Sequence, residues 1–355
     1  MEMKELLHRT PAWASGDDDE SGVVLSCRVR LARNLDGLCF EAKASEDDRE
    51  AVIARVLQAA KESRPLSKAS YFPMEALDDD ERRLLVERHL VSPALANGEG
   101  ARGVLFDEEE VLSVMINEED HLRLQAILPG LNVERAWKNI DALDDAFAAS
   151  LAYARSERWG FHTSCPTNAG TGLRASVLMH LPALVLAEDI ERVVRGLGQM
   201  SFAVRGVYGE GTNALGNLFQ ISNQATMGRD EAEIVADLQR LARQLVGYER
   251  DAQQNLLSEA RHQVRDKVWR AYGLLSYSHI LSSQEFMNLL SAVRLGLSLG
   301  LIDKVPAAFL NRLMILTQPA HLQAGAGRPL KAGDRDVCRA ELVRRLLAHE
   351  GGGAP

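Results

Sequence analysis

The spacing of hydrophobic positions changes several times along the chain, and each change marks an element. Residues 23–31 carry β-branched and basic residues at alternating positions, the period of two that defines a half-buried strand. Apolar residues at helical spacing predict helices over 47–62 and 79–89. Between 103 and 128, two apolar runs flank acidic turns and predict antiparallel strands, and 134–154 reads as a strongly amphipathic helix. A loop at 165–168 precedes an apolar strand from Arg174, and 188–200 is helical. Residues 202–222 read as two strands joined by the turn Tyr208-Gly209-Glu210-Gly211. From 229 to about 316 the pattern is mostly helical, with interruptions at Gly247, Ser282–Ser283 and Pro306. A segment rich in Gly and Ala, 323–329, leads to a last helix over 335–349. There is no internal repeat.

That order predicts an α+β chain: an antiparallel sheet flanked by helices, then a helical C-terminal part. The partition expected is a loose polar arm over 1–22, ending in the acidic run Asp17-Asp18-Asp19-Glu20, a catalytic-type domain over 23–250, and a helical domain over 251–355. A chain of 355 residues suits two such units. The net charge of −9 speaks against broad nucleic-acid binding, and no run approaches a membrane span. Four scattered cysteines and the polar start at Met1 predict a reducing, cytoplasmic location. Of the 41 basic residues 33 are arginine, which codon bias explains except where arginines fall in motifs.

Three motifs bear on chemistry. Arg28 and Arg30 are two apart in a predicted strand, so both guanidiniums share one face. Such a pair repels unless an anion lies between them, and the planar donor fork suits phosphate oxygens; the bland alternative is a solvated strand face. Asn117-Glu118-Glu119-Asp120-His121 sets three carboxylates behind an apolar strand, with Arg123 following: either a plain turn or a site for a cation. Cys165-Pro166-Thr167-Asn168-Ala169-Gly170-Thr171-Gly172-Leu173-Arg174 joins a thiol, glycines that let a ligand approach the backbone, and an arginine.

In this order and spacing, the patterns Ser-x-Arg-Val-Arg, Asn-Glu-Glu-Asp-His-x-x-Arg and Cys-Pro-x-Asn-x-Gly-Thr-Gly-x-Arg resemble the phosphagen (guanidino) kinase family. Arg205-Gly206 through Ile221-Ser222-Asn223 resembles its late nucleotide-binding loop, and the likeness spans about residues 23–228. The resemblance implies a catalytic fold related to that of glutamine synthetase, with ATP as donor and Mg2+ held mainly by phosphates and water. It implies Glu119 and Glu210 as catalytic carboxylates gripping a guanidinium, with Cys165 and Glu118 at the acceptor site. Arg28, Arg30, Arg123, Arg174 and Arg205 would surround the triphosphate, with Ser26, His89, Ser176 and Gly206 completing the nucleotide site; no protein metal ligand is named. Gln224-Ala225-Thr226 follows Asn223 where creatine and arginine kinases carry a further arginine, so the cage is expected to be one charge lighter.

Only 25 residues precede Ser26, whereas creatine and arginine kinases place about a hundred there. The chain extends instead beyond Gly228, and this resembles the protein arginine kinases of bacteria. Arg335-Asp336-Val337-Cys338-Arg339-Ala340 is similar to the motif by which that branch binds phosphoarginine allosterically. Arg335 and Arg339, four apart on a helix, would converge on one phosphate, with Asp336 and Ala340 beside them. The resemblance implies proteins with exposed arginines as substrates, marked for regulated proteolysis or stress control, and a zinc-binding activator protein and a Clp-type protease as partners. A homodimer is expected through the apolar stripe Leu289-Leu290-x-x-Val293-x-x-Gly296-Leu297, unless that stripe packs within its own subunit. Two alternatives stay open: a kinase of free arginine or another small guanidine, and a catalytically dead phosphoarginine-binding adaptor.

Overall fold

The computed structural model describes residues 3–7, 9–16, 22–206 and 214–350. Its strands are β1 (Val24–Arg33), β2 (Ser70–Pro73), β3 (Gly103–Phe106), β4 (Leu112–Ile116), β5 (Leu122–Pro129), β6 (Arg155–Ser156), β7 (Gly160–Phe161), β8 (Leu173–His180), β9 (Phe202–Gly206) and β10 (Leu218–Asn223). Its helices are α1 (Met3–Leu6), α2 (Glu46–Glu62), α3 (Asp79–Glu87), α4 (Pro93–Asn97), α5 (Val133–Ala148), α6 (Pro182–Leu186), α7 (Ile190–Gln199), α8 (Glu231–Tyr277), α9 (Ser283–Ser298), α10 (Ala307–Leu316), α11 (Pro319–Ala326) and α12 (Ala332–Glu350).

Eight strands form one antiparallel sheet in the order β2-β3-β4-β5-β1-β8-β10-β9. Opposed residues in such a sheet project to the same side. Cys27, Val29 and Leu31 of β1 face Leu128, Ala126 and Leu124 on β5 and Val177, Ala175 and Leu173 on β8. This apolar side packs against α2, α5 and the first part of α8 in the main core. α2 begins where it does because Ser45 and Asp48 form a reciprocal capping box.

The opposite side of the sheet is covered only at its ends. Val104, Phe106 and Met115 meet α3, α4 and Leu6 at one end. Leu25, Ile127 and Leu218 meet α9, α10, α12 and the far part of α8 at the other. The strip between them stays polar. α8 carries both cores and changes direction between them at Ala260 (φ −137°, ψ 35°): residues up to Ala252 join the first core and Val264 to Leu275 the second. The helix runs straight through Gly247, so the interruption predicted there does not exist. One mid-helix glycine costs only about 1 kcal/mol, and buried Leu245 and Val246 beside it outweigh that.

One expectation is corrected. The arm 1–22 is not loose where it is described: Leu6 and Trp13 are buried, and the Trp13 indole N–H donates to the Arg88 carbonyl at 3.3 Å. Two large apolar side chains in a polar segment were enough to dock it. The stripe on α9 is consumed within the subunit, with Leu290 and Val293 buried and a Cβ on Gly296 only 2.2 Å from Val268. Leu290 and Val293 are thus spent inside the subunit, while Leu289 and Leu297 are half-buried. Among the described residues, no helix is long and apolar enough to cross a membrane.

Candidate active site

The polar strip is built by register. Arg30 stands opposite Gln125 on β5 and Arg174 on β8, while Arg28 stands opposite Ile127 and Ser176. Ser176 in turn faces Ser222 on β10, and Gln220 on β10 faces Arg205 on β9. Neighbouring strands thus place Arg28, Arg30, Arg123, Arg174 and Arg205 on one surface. A cleft of about 240 Å³ opens over it, lined by Arg30, Arg123, Arg174, Arg205, Glu119 and Cys165, with Thr167, Asn168, Gln220 and Ser222 between them.

These arginines disturb one another. Burial holds the Arg30 guanidinium well below its ordinary pKa, and Arg28, Arg123 and Arg174 push it the same way; only Glu118 opposes them. Arg174 is lowered by burial and then by Arg205 and Arg123, while Cys165 opposes. Arg30 Nε is buried without a hydrogen-bond partner, and Arg174 donates to Ser222 Oγ at 3.2 Å. Arginine stays protonated under such pressure, so the cluster is a concentration of positive charge that a polyanion would relieve. His89, with φ at +63°, sits edge-on to Trp13 and close to Arg28; burial chiefly, and then Arg28, lowers its pKa to about 3. Its ring is neutral and stands outside the cleft-lining set.

The acidic segment between β4 and β5 is an ordered turn, not a loose acidic patch. Asn117 takes φ +57°, and its N–H donates to His121 O at 2.9 Å. His121 Nδ1 accepts from Leu35 N at 3.0 Å, which leaves Nε2–H to donate to Cys39 O at 2.8 Å. Asp120 Oδ1 accepts from Asn34 Nδ2 at 2.7 Å and from Ser164 N at 2.6 Å, which ties the turn to the Cys165 loop. Glu119 is left pointing outward: its side chain is 46 % exposed, with one ion pair, to Arg123 at 3.2 Å. Glu118 does not reach the cleft. It is buried and takes bonds from Arg123, Ser92 Oγ and the Glu119 N–H. The Glu118 oxygens, expected at the acceptor site, are occupied by these partners.

Cys165 stands on the rim with its Sγ 3.0 Å from Thr167 Oγ1. The glycines of its loop are required by close approach: at Gly172 (φ +66°) a Cβ would lie 2.6 Å from Ala32 O. Arg33 secures the loop's base by donating to Thr171 O at 2.9 Å while paired with Asp144 and stacked 3.5 Å over the Phe161 ring. Ser176 is buried beneath Arg28, donating to its carbonyl, and Gly206 ends β9. Ser26 is buried in β1 away from the cleft. Glu210 lies outside the described residues. Thr167 and Asn168 line the cleft as part of the Cys165 motif, and Gln220 lines it without having been singled out; the alternation of β10 pairing with β9 was the available signal.

The C-terminal motif lies on α12. Arg339 is buried and donates to Thr317 O, Leu281 O and Asp336 Oδ1 at 3.0, 2.7 and 2.6 Å. Ala340 is buried beside it. Arg335 and Asp336 are half-buried, with Arg335 donating to Leu330 O at 3.0 Å. The two guanidiniums do not converge: Arg339 turns inward, drawn by the carbonyl ends of neighbouring segments.

An antiparallel sheet with an arginine-lined cleft and a projecting glutamate agrees with the comparisons. Residues 51–252 match the family profile described as ATP:guanido phosphotransferase, C-terminal catalytic domain. The structure of a lombricine kinase aligns over 71% of this chain and 76% of that one, with a TM-score of 0.59 and 27% identity. A duplicated taurocyamine kinase from Schistosoma mansoni shares the fold at 23% identity, with a TM-score of 0.61 over 73% of this chain and 39% of that one. The chain belongs to the ATP:guanido phosphotransferase family, and it is a phosphotransferase.

Its place within that family follows from the remainder of the chain. Residues 261–352 match the protein-arginine kinase McsB C-terminal domain, so the junction between the two matches falls at the Ala260 break in α8. A protein-arginine kinase of Halothermothrix orenii is 44% identical over 98% of this chain and 99% of its own length. One from Geobacillus stearothermophilus is 46% identical over 96% and 94%.

Proposed function

We propose that the protein transfers the γ-phosphoryl group of ATP to arginine side chains of other proteins. The observation that carries this reading is the crowding of Arg30, Arg123, Arg174 and Arg205 around one cleft, with Glu119 projecting beside them. Its support for a protein acceptor comes from the full-length likeness to protein-arginine kinases.

Arg28, Arg30, Arg123, Arg174 and Arg205 hold the triphosphate oxygens, and Ser176 and His89 stand at the Arg28 end, where the nucleoside would extend. Phosphoryl transfer depends mainly on alignment and charge stabilisation, which fixed guanidiniums supply. Mg2+ would enter on the phosphates and neutralise their charge; the cluster fits the oxygens left over. Glu119 binds the acceptor guanidinium, and Cys165 borders it from the loop opposite. One guanidinium nitrogen bonds to the γ-phosphorus as the bond from phosphorus to the β–γ bridging oxygen breaks. The proton leaving that nitrogen goes to Glu119, and the products are ADP and phosphoarginine. Glu210 would grip the second edge of the guanidinium.

We also assign phosphoarginine binding to Arg335 and Asp336, with Arg339 holding the helix that presents them. Arg335→Ala is expected to leave transfer to a protein acceptor within about twofold of wild type while abolishing stimulation by phosphoarginine-bearing protein. Arg339→Ala is expected to lower stability, by on the order of 3 kcal/mol, because it strands the buried Thr317 and Leu281 carbonyls and unpairs the half-buried Asp336. Rate measurements with and without the phosphorylated ligand, beside thermal melts, check both; unchanged stimulation in Arg335→Ala would move the sensor elsewhere.

The substrate class is tested by supplying MgATP with either a denatured protein or free arginine and following ADP. Faster turnover on the protein supports the assignment, and turnover confined to free arginine overturns it.

A further inference from the structure

The segment after β10 reaches across to the acceptor side of the cleft. Thr226 Oγ1 lies 2.9 Å from Thr167 O and 2.7 Å from Ala169 O, so its hydroxyl proton is shared between two carbonyls of the Cys165 loop. The Thr226 carbonyl accepts from Thr171 N and from Thr171 Oγ1, both at 3.1 Å. Gly170, at φ +102°, passes so close that a Cβ there would lie 2.6 Å from Thr226 O. Thr226 is itself buried, and Asn223 just before it fixes the segment by donating to Ala225 O and Leu173 O, both at 3.1 Å. One residue therefore touches the loop at Thr167, Ala169, Gly170 and Thr171, on the strand side of Cys165.

The other attachment of the loop is Asp120, next to Glu119 in the chain, through Ser164 N at 2.6 Å. Cys165 thus sits between one anchor from the Glu119 turn and another from the strand that carries Ser222, the partner of Arg174. Nothing in the cleft requires a hydroxyl at 226, since Thr226 does not line it.

We propose that Thr226 is a positioning residue that holds the Cys165 loop at the distance from Glu119 and the arginine cluster needed for in-line transfer. This rests on the protein-arginine kinase reading above. Misplacing a reacting group by about 1 Å can cost on the order of a hundredfold in rate, so a hydroxyl remote from the phosphate can control turnover.

The test compares Thr226→Val, which keeps shape and removes the hydroxyl, with Thr226→Ser, which keeps the hydroxyl. Thr226→Val is expected to lower kcat/KM for a protein acceptor roughly tenfold or more, leaving the binary Kd for ATP within about twofold. Thr226→Ser should recover most of the loss. In a Cys39→Ser background, iodoacetamide labelling of Cys165, read by peptide mass, should quicken in Thr226→Val and stay near wild type in Thr226→Ser. The labelling needs no turnover, so it still bears on the loop if wild type fails to phosphorylate arginine, a failure that would instead count against the proposed function. Unchanged kcat/KM in Thr226→Val, equal loss in Thr226→Ser, or a parallel loss of ATP affinity would overturn the positioning role. If Thr226→Val does not fold, Thr226→Ser alone decides: wild-type labelling and turnover support the proposal, and loss of either contradicts it.

Discussion

Glu119→Gln should lose transfer to arginine by a factor of about 10² to 10⁴, the usual contribution of a positioned general base, while still binding ATP. A guanidinium holds its proton with a pKa above about 12, so a nitrogen lone pair becomes available only as a carboxylate takes that proton. The amide has the same shape and hydrogen-bonds a guanidinium through its oxygen, but it cannot take the proton. Glu119 has a half-exposed side chain and a single ion pair, to Arg123, so the exchange should leave the fold intact; exposed pairs contribute only about 0–1 kcal/mol. Calorimetric ATP affinity close to wild type, with product formation lost, is the expected pattern. Turnover near wild type would remove Glu119 from the mechanism.

Arg30→Ala should produce the opposite profile. Its guanidinium is pressed by burial and by three neighbouring arginines, and its Nε is unpartnered. In the absence of nucleotide, removing it relieves repulsion, so the melting temperature should hold or rise. Charge-assisted hydrogen bonds contribute about 1.5–3 kcal/mol each, so ATP affinity should fall by roughly 10- to 150-fold with transfer falling alongside. A variant that loses stability and keeps its ATP affinity would show that Arg30 serves the fold and not the ligand. A residue that weakens the empty protein and strengthens the bound one is what a binding site contributes.

Much of this was legible in the sequence because it rests on local periodicity. The alternation that put Arg28 and Arg30 on one face survives as the register of β1 against β5 and β8. The helices at 47–62 and 79–89 form within two residues of their expected ends. What was not legible depends on partners distant in the chain. Ala260 has no breaker chemistry, and α8 bends there because its two parts serve different cores. Trp13 looked like part of a polar arm until Arg88, 75 residues away, supplied a carbonyl. Glu118 and Glu119 are adjacent carboxylates that periodicity alone does not separate; Ser92 and Arg123 occupy the first and leave the second exposed. Arg339 shares a helix with Arg335, yet the carbonyls of Thr317 and Leu281 turn it inward.

If the arginine cluster and Glu119 act as proposed, the enzyme places a phosphoryl group on protein-borne arginine. The most direct measurement is mass analysis of a purified model protein after incubation with MgATP and the enzyme, with fragments assigned residue by residue and a parallel sample treated with acid. The expected result is a phosphoryl group on arginine, lost in acid as expected of a nitrogen–phosphorus bond, and absent when Glu119→Gln replaces the wild-type enzyme. Phosphate on serine, threonine or tyrosine alone, or an acceptor left unmodified while free arginine is consumed, would contradict it.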